Sequence, residues 1–129
     1  MLDVTAFFAG LLGIMLFLLS VNVIADRYRF RISLGAGDNE MTQRKIRAQG
    51  NFIEYVPMAL ILMALCEYGG ASKAMLHGLG YMLFLGRLFH AYGLLVGETV
   101  AKSRILFRQI GMVATFTVLV MLSVMALGI

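Results

Sequence analysis

The sequence predicts an all-α membrane protein in which four transmembrane helices form an up-down bundle within a single domain, residues 1–129. Three observations predict this class. Hydrophobic residues make up 60% of the chain and charged residues 14%, against about 45–50% and about 25% in soluble domains. The mean hydropathy is +0.87. The apolar residues gather in four stretches, each near the roughly 20 residues that a helix needs to cross ~30 Å of hydrocarbon.

The four predicted spans differ in polar content. They cover about residues 4–25, 51–68, 74–96 and 110–129. The first and fourth carry no charge, the second contains Glu54 near its start, and the third contains Arg87 and His90. The first is interpreted as a span and not as a cleaved signal peptide, because its flank at Asp3 is acidic and its apolar run is too long. Pro57 is expected to kink the second.

Basic residues predict the orientation of the bundle. Loop one carries six and loop three carries three, whereas the short loop two carries only Lys73. Because Lys and Arg accumulate in cytoplasmic loops, loops one and three are expected in the cytoplasm and both termini on the opposite side. The net charge of +4 is therefore attributed to anionic lipid, and no nucleic-acid partner is predicted. The basic residues of loops one and three are Arg27, Arg29, Arg31, Arg44, Lys45, Arg47, Lys102, Arg104 and Arg108.

Metal and disulfide chemistry are not indicated. The single cysteine, Cys66, excludes an intrachain disulfide, and no histidine, cysteine or carboxylate cluster has metal-ligand spacing. No metal is therefore predicted. Cys66 and Glu67, at the outer end of the second span, are interpreted as interfacial residues.

Ionisable residues inside spans cost at least ~2.5 kcal/mol each and by default are paired or functional. Arg47, Asn51 and Glu54 lie within about 60° of one another at the start of the second span. Arg87 and His90 lie one turn apart in the inner half of the third span. All five are expected at one depth in the cytoplasmic leaflet.

Two interpretations of this cluster remain open. Glu54 and Arg87 neutralise each other and hold the helices together, or the cluster is a pocket for an anionic ligand that bears one ammonium group. Arginine side chains bind carboxylates through paired hydrogen bonds, and a lone glutamate can form an ion pair with an amine. Glutathione fits this demand, and so does a phosphorylated headgroup.

Residues 47–57, RAQGNFIEYVP, resemble the signature of the MAPEG proteins (membrane-associated proteins in eicosanoid and glutathione metabolism). Residues 27–33 and 86–94 are similar to the corresponding parts of that family, so the resemblance covers essentially the whole chain. It implies a homotrimer of four-helix subunits that binds glutathione between neighbouring subunits in the cytoplasmic half.

The resemblance also implies the residues of the site. The implied glutathione-binding residues are Arg27, Arg47, Asn51, Glu54, Tyr55, Arg87 and His90. A loop-three arginine steadies the thiolate in the family, and Arg104 is the implied catalytic residue. Leu94 stands where the eicosanoid synthases have tyrosine, and the spacing from Arg87 to Arg104 differs slightly from theirs. The second substrate therefore stays open.

The expected activity is that of a membrane glutathione transferase acting on lipophilic electrophiles, with glutathione-dependent peroxidase activity as an addition. Glutathione is the co-substrate, and membrane lipid is a further partner. Cys66 is not the expected nucleophile, because it lies at the opposite membrane face from the cluster. One rival is a non-catalytic membrane protein that binds lipid or glutathione. A small four-helix transporter is disfavoured, because the first span lacks an acidic residue.

Overall fold

The computed structural model describes residues 1–96 and 101–128, with side chains at 1–96 and 105–128. The described chain forms four α-helices, as predicted. They are α1 (Asp3–Phe30), α2 (Glu40–Tyr68), α3 (Lys73–Leu95) and α4 (Ala101–Leu127). Three helical segments are long and apolar enough to cross a membrane: α1, α2 and the Ile105–Leu127 part of α4. At 23 residues α3 also has the necessary length, but its two histidines and Arg87 make it more polar.

Helices α1 and α2 extend beyond the predicted spans into the segment that was assigned to loop one. Helix α1 continues to Phe30 and ends where Arg31 adopts a left-handed conformation with φ of 55°. Helix α2 begins at Glu40, because the side chain of Asn39 accepts a hydrogen bond from the backbone nitrogen of Thr42 at 2.9 Å. Most of the basic residues expected in this loop are therefore fixed on helices.

Neighbouring helices in the chain run in opposite directions. The Glu67 carboxylate near the end of α2 lies 2.9 Å from the backbone nitrogen of Val4 at the start of α1. Near the other end, the Gln49 amide donates to the Ser20 hydroxyl at 2.8 Å. Helices α2 and α3 each pack against all three other helices, and α1 and α4 lie on opposite sides of this pair. The predicted up-down arrangement is therefore observed.

Helices α3 and α4 approach closely at two glycines. A Cβ atom placed on Gly111 would lie 2.7 Å from the backbone nitrogen of His90 and would also collide with the carbonyl oxygen of Gly86. Only glycine allows the two backbones this separation. The contact fixes the position of α4 relative to the α3 residues that line the candidate site.

Candidate functional site

Arg87 is the most deeply buried charge in the described part of the chain. Its side chain, on α3, is 1% exposed. Its Nη2 atom donates a hydrogen bond to Oδ1 of Asn51 on α2 at 2.8 Å. Its Nε and Nη1 atoms are buried without a hydrogen-bond partner among the described residues. Burying a guanidinium with so few hydrogen-bond acceptors is energetically unfavourable unless an anion binds to it.

Glu54 does not supply that anion within the chain. Its carboxylate instead binds Arg47, with Nη1–Oε1 and Nη2–Oε2 distances of 2.9 and 3.3 Å. These two side chains are 54% (Arg47) and 46% (Glu54) exposed, on the outer face of α2. Of the two interpretations of Glu54, the direct pair with Arg87 is therefore not observed.

A pocket of about 390 Å³ opens beside Asn51, between α2, α3 and α4. This volume lies within the range of ~300–1,000 Å³ that small-molecule sites occupy. It contains four of the residues expected to bind glutathione, and Arg87 contacts it through Asn51. The lining residues are Arg47, Asn51, Tyr55, His90, Ile105, Arg108, Gln109 and Met112.

Helix packing positions the Tyr55 ring and the His90 imidazole that line this pocket. The Tyr55 ring meets Phe116 of α4 edge-on, with centroids 5.3 Å apart. His90 is 3% exposed, and its Nδ1 atom has no hydrogen-bond partner in the described structure. The pocket thus combines two exposed cations, a buried unpaired imidazole nitrogen and an aromatic hydroxyl.

Arg108 was missed as a site residue, because it was counted only as a loop-three charge. Helix α4 begins at Ala101, so Arg104, Arg108 and Met112 are spaced four residues apart on one face. That spacing could have placed Arg108 beside the site. Arg104 belongs to the first turn of α4, and its side chain falls outside the described residues.

Arg27 lies apart from this pocket within the chain. It lines a second pocket of about 410 Å³ that shares no residue with the first. The preceding residue, Asp26, was not singled out from the sequence. It is buried and accepts hydrogen bonds from Nζ of Lys45 at 2.7 Å and Oγ1 of Thr42 at 3.1 Å, which joins the end of α1 to α2.

Glu67 has a structural role that its interpretation as an interfacial residue did not foresee. The carboxylate is buried and accepts hydrogen bonds from the backbone nitrogens of Val4 and Thr5 and from the Thr5 hydroxyl, at 2.7–2.9 Å. It therefore satisfies the free donors at the start of α1 and lies at the opposite end of the bundle from Arg87.

The fold and the site together define an α-helical membrane protein with a pocket, lined in part by the arginines Arg47 and Arg108, near one end of its bundle. Comparison with known proteins identifies the family. The MAPEG family pattern matches residues 5–128, and the chain belongs to the MAPEG family, as the resemblance indicated.

Two of its relatives are inner membrane proteins of Escherichia coli. The chain is 39% identical over 90 residues to inner membrane protein YecN of strain K12, covering 70% of this chain and 69% of YecN. The same values hold for YecN of E. coli O6:H1 strain CFT073. Together with the apolar helices, these matches establish an integral membrane protein.

Proposed function

We propose that the protein is a membrane glutathione transferase that joins the glutathione thiolate to lipophilic electrophiles. The observation that carries the proposal is the buried Arg87 guanidinium behind a pocket that already contains two further cations. Two of its nitrogens have no hydrogen-bond partner among the described residues. A carboxylate would supply the missing acceptors as a charge-assisted pair. Membership of a family named for glutathione metabolism favours glutathione over other anionic ligands.

Each side chain then has a chemical role. Arg87, Asn51 and His90 bind one carboxylate of glutathione at the inner side of the pocket. The Tyr55 hydroxyl donates a hydrogen bond to the ligand. Glu54 receives the amine from its place beside Arg47, at the outer edge of α2. Because Cys66 lies near Leu122 at the far end of the bundle, the reacting sulfur belongs to glutathione.

Arg108 and Arg104 are the candidates for thiolate stabilisation. A thiol of pKa ~8.5 is only a few per cent ionised at neutral pH, and a guanidinium close to the sulfur favours the thiolate. The sulfur lone pair then forms a bond to the electrophilic carbon. The displaced electron pair departs with the leaving group, or moves to a neighbouring atom that takes up a proton.

The proposal includes a trimer in which all four helices cross the membrane. The ion pair between Arg47 and Glu54 faces outward from an apolar helix, and a neighbouring subunit would shield it from lipid and complete the site. Native mass spectrometry in mild detergent should show three copies. A species that is exclusively monomeric would contradict a site between subunits.

Titration calorimetry of glutathione against the detergent-solubilised protein tests the proposal, followed by turnover of a generic electrophile. Arg108→Ala should keep glutathione affinity within a few-fold but lower both thiolate absorbance near neutral pH and turnover by tenfold or more. Arg104→Ala is compared directly to assign the role. Arg44→Ala is the matched control, because Arg44 pairs with the exposed Glu40 away from the pocket.

Absence of glutathione binding by the wild type would refute the proposed function. Binding without thiolate formation or turnover would instead make the protein a non-catalytic glutathione-binding member of the family.

A further inference from the structure

Gln109 lines the first pocket and has no role in the chemistry proposed above. It lies on α4, in the segment Ile105–Leu127 that is apolar enough to cross a membrane. The α4 residues that line the pocket recur at spacings of three and four positions, which places them on one face of the helix. Gln109 therefore faces the same space as Arg108.

The carboxamide of Gln109 has no hydrogen-bond partner among the described residues. On the same helix, Thr115 and Thr117 instead donate their hydroxyl hydrogens to carbonyl oxygens of α4, at 2.8 Å in each case. An amide without partners in an apolar segment costs free energy. Because a carboxamide accepts through its oxygen and donates through its nitrogen, a ligand that offers one donor and one acceptor satisfies it.

The amide oxygen of Gln109 differs from the other polar atoms around the pocket. Arg47 and Arg108 can only donate hydrogen bonds. The Oδ1 atom of Asn51 already accepts a hydrogen bond from Arg87 at 2.8 Å. Of the two side-chain amide oxygens that line the pocket in the described structure, that of Gln109 is therefore the one available to an N–H group of a ligand.

We propose that Gln109 binds the backbone N–H and C=O groups of the cysteinyl residue of glutathione, an inference that rests on the proposed function. In an extended residue these two groups point to the same side, as in the hydrogen-bonded pairs of antiparallel strands. The Gln109 oxygen accepts from the N–H group, and its nitrogen donates to the carbonyl oxygen. The neighbouring Arg108 then lies beside the sulfur of the same cysteinyl residue.

This contact makes Gln109 a specificity-determining residue. The cations of the pocket alone would also accept a phosphorylated headgroup such as phosphoethanolamine, which carries an anion and one ammonium group. That ligand has no peptide group and leaves the Gln109 amide unpaired. A site that hydrogen-bonds an N–H group of its substrate discriminates strongly against ligands that lack the group.

Titration calorimetry of the full chain in detergent tests the inference, with glutathione, phosphoethanolamine and a depsipeptide analogue of glutathione as probes. In the analogue an ester oxygen replaces the cysteinyl N–H group. The wild type should bind the analogue about three- to tenfold more weakly than glutathione, as expected for one lost neutral hydrogen bond.

Gln109→Met keeps the length of the side chain and removes the amide. It should weaken glutathione binding by about five- to fiftyfold, because two neutral hydrogen bonds are lost. The variant should bind the depsipeptide analogue within about twofold of glutathione, since the contact that distinguishes them is gone. Its affinity for phosphoethanolamine should stay within about twofold of that of the wild type.

Gln43→Met is the matched control. Gln43 is an exposed glutamine of α2 and lines neither the first nor the second pocket. Its substitution should leave glutathione affinity within about twofold of that of the wild type. Both variants should keep the wild-type melting temperature, because both side chains are exposed.

Three results would overturn the inference while the proposed function stands. Wild-type affinity of Gln109→Met for glutathione would show that Gln109 does not bind the ligand. An equal preference for glutathione over the analogue in both proteins would show that another group binds the cysteinyl N–H. An equal loss of phosphoethanolamine affinity would reduce the effect to the shape of the pocket. Absence of glutathione binding by the wild type would instead refute the proposed function and this inference with it.

Discussion

At the scale of single residues, charge pairing separates structural from functional roles. Glu54 and Arg47 form a half-exposed pair on the outer face of α2, whereas Arg87 is buried and, among the described side chains, has only Asn51 as a hydrogen-bond partner. A half-exposed ion pair contributes about 0.2–1 kcal/mol to stability in water, which is too little to explain why charges stand in an apolar helix. Glu54 is therefore available to a ligand at small structural cost.

Glu54→Gln should lower glutathione affinity by about ten- to a hundredfold, because a charged hydrogen bond contributes ~1.5–3 kcal/mol. The melting temperature should change little. A glutathione analogue that lacks the α-amino group provides the control: it should bind the wild type weakly and lose little more on mutation. Additive losses from the mutation and the analogue would show that Glu54 does not contact the amine.

Glu67 is the opposite case, a buried carboxylate that serves the fold. Glu67→Gln should destabilise the protein by about 1.5–3 kcal/mol, since the amide cannot accept all the hydrogen bonds from Val4 and Thr5. Glutathione affinity per folded protein should be unchanged. Asp3→Asn is the control, because Asp3 is an exposed carboxylate at the start of the same helix, 3.3 Å from Lys73. This substitution should lower the free energy of unfolding by less than about 1 kcal/mol. Equal costs would contradict the capping role.

At the scale of helices, the contact between α3 and α4 determines the shape of the candidate site. Gly86 and Gly111 allow the two backbones to touch beside His90, which brings Arg108 and Gln109 of α4 to the pocket that α2 and α3 line on the other side. Separation of these helices would therefore alter the site without changing any residue that lines it.

Gly111→Ala should destabilise the protein by about 1–3 kcal/mol, because the new methyl group collides with backbone atoms that cannot yield. It should also weaken glutathione binding through displacement of His90. Gly13→Ala on α1 is the matched control: a Cβ atom there meets nothing within 4 Å, and alanine is the better helix former by about 0.8–1 kcal/mol. Unfolding followed by circular dichroism measures both, and a Gly111→Ala protein as stable as the wild type would refute the close contact.

At the scale of the whole molecule, the described basic residues other than Lys73, which pairs with Asp3 at the opposite end, gather at one end of the bundle. The end that carries Arg47, Arg108 and the second pocket is opposite the end at which Glu67 meets α1. Because basic loops tend to stay in the cytoplasm, we expect the proposed glutathione pocket to open toward the cytoplasmic side.

A C-terminal reporter that is active only in the cytoplasm should therefore remain silent. The same reporter inserted between Gly35 and Gly37, in the turn that joins α1 to α2, is the positive control and should be active. Strong activity from the C-terminal fusion would reverse the proposed orientation.

The sequence alone determined the helical membrane fold and the family, because these depend on local hydropathy and on the motif at residues 47–57. Tertiary structure alone decided that Glu54 pairs with Arg47, that Glu67 caps α1 and that Arg108 reaches the pocket. Such pairings depend on how each helix is rotated about its axis and how closely α3 and α4 approach. Those quantities result from packing all four helices together, and no single segment contains them.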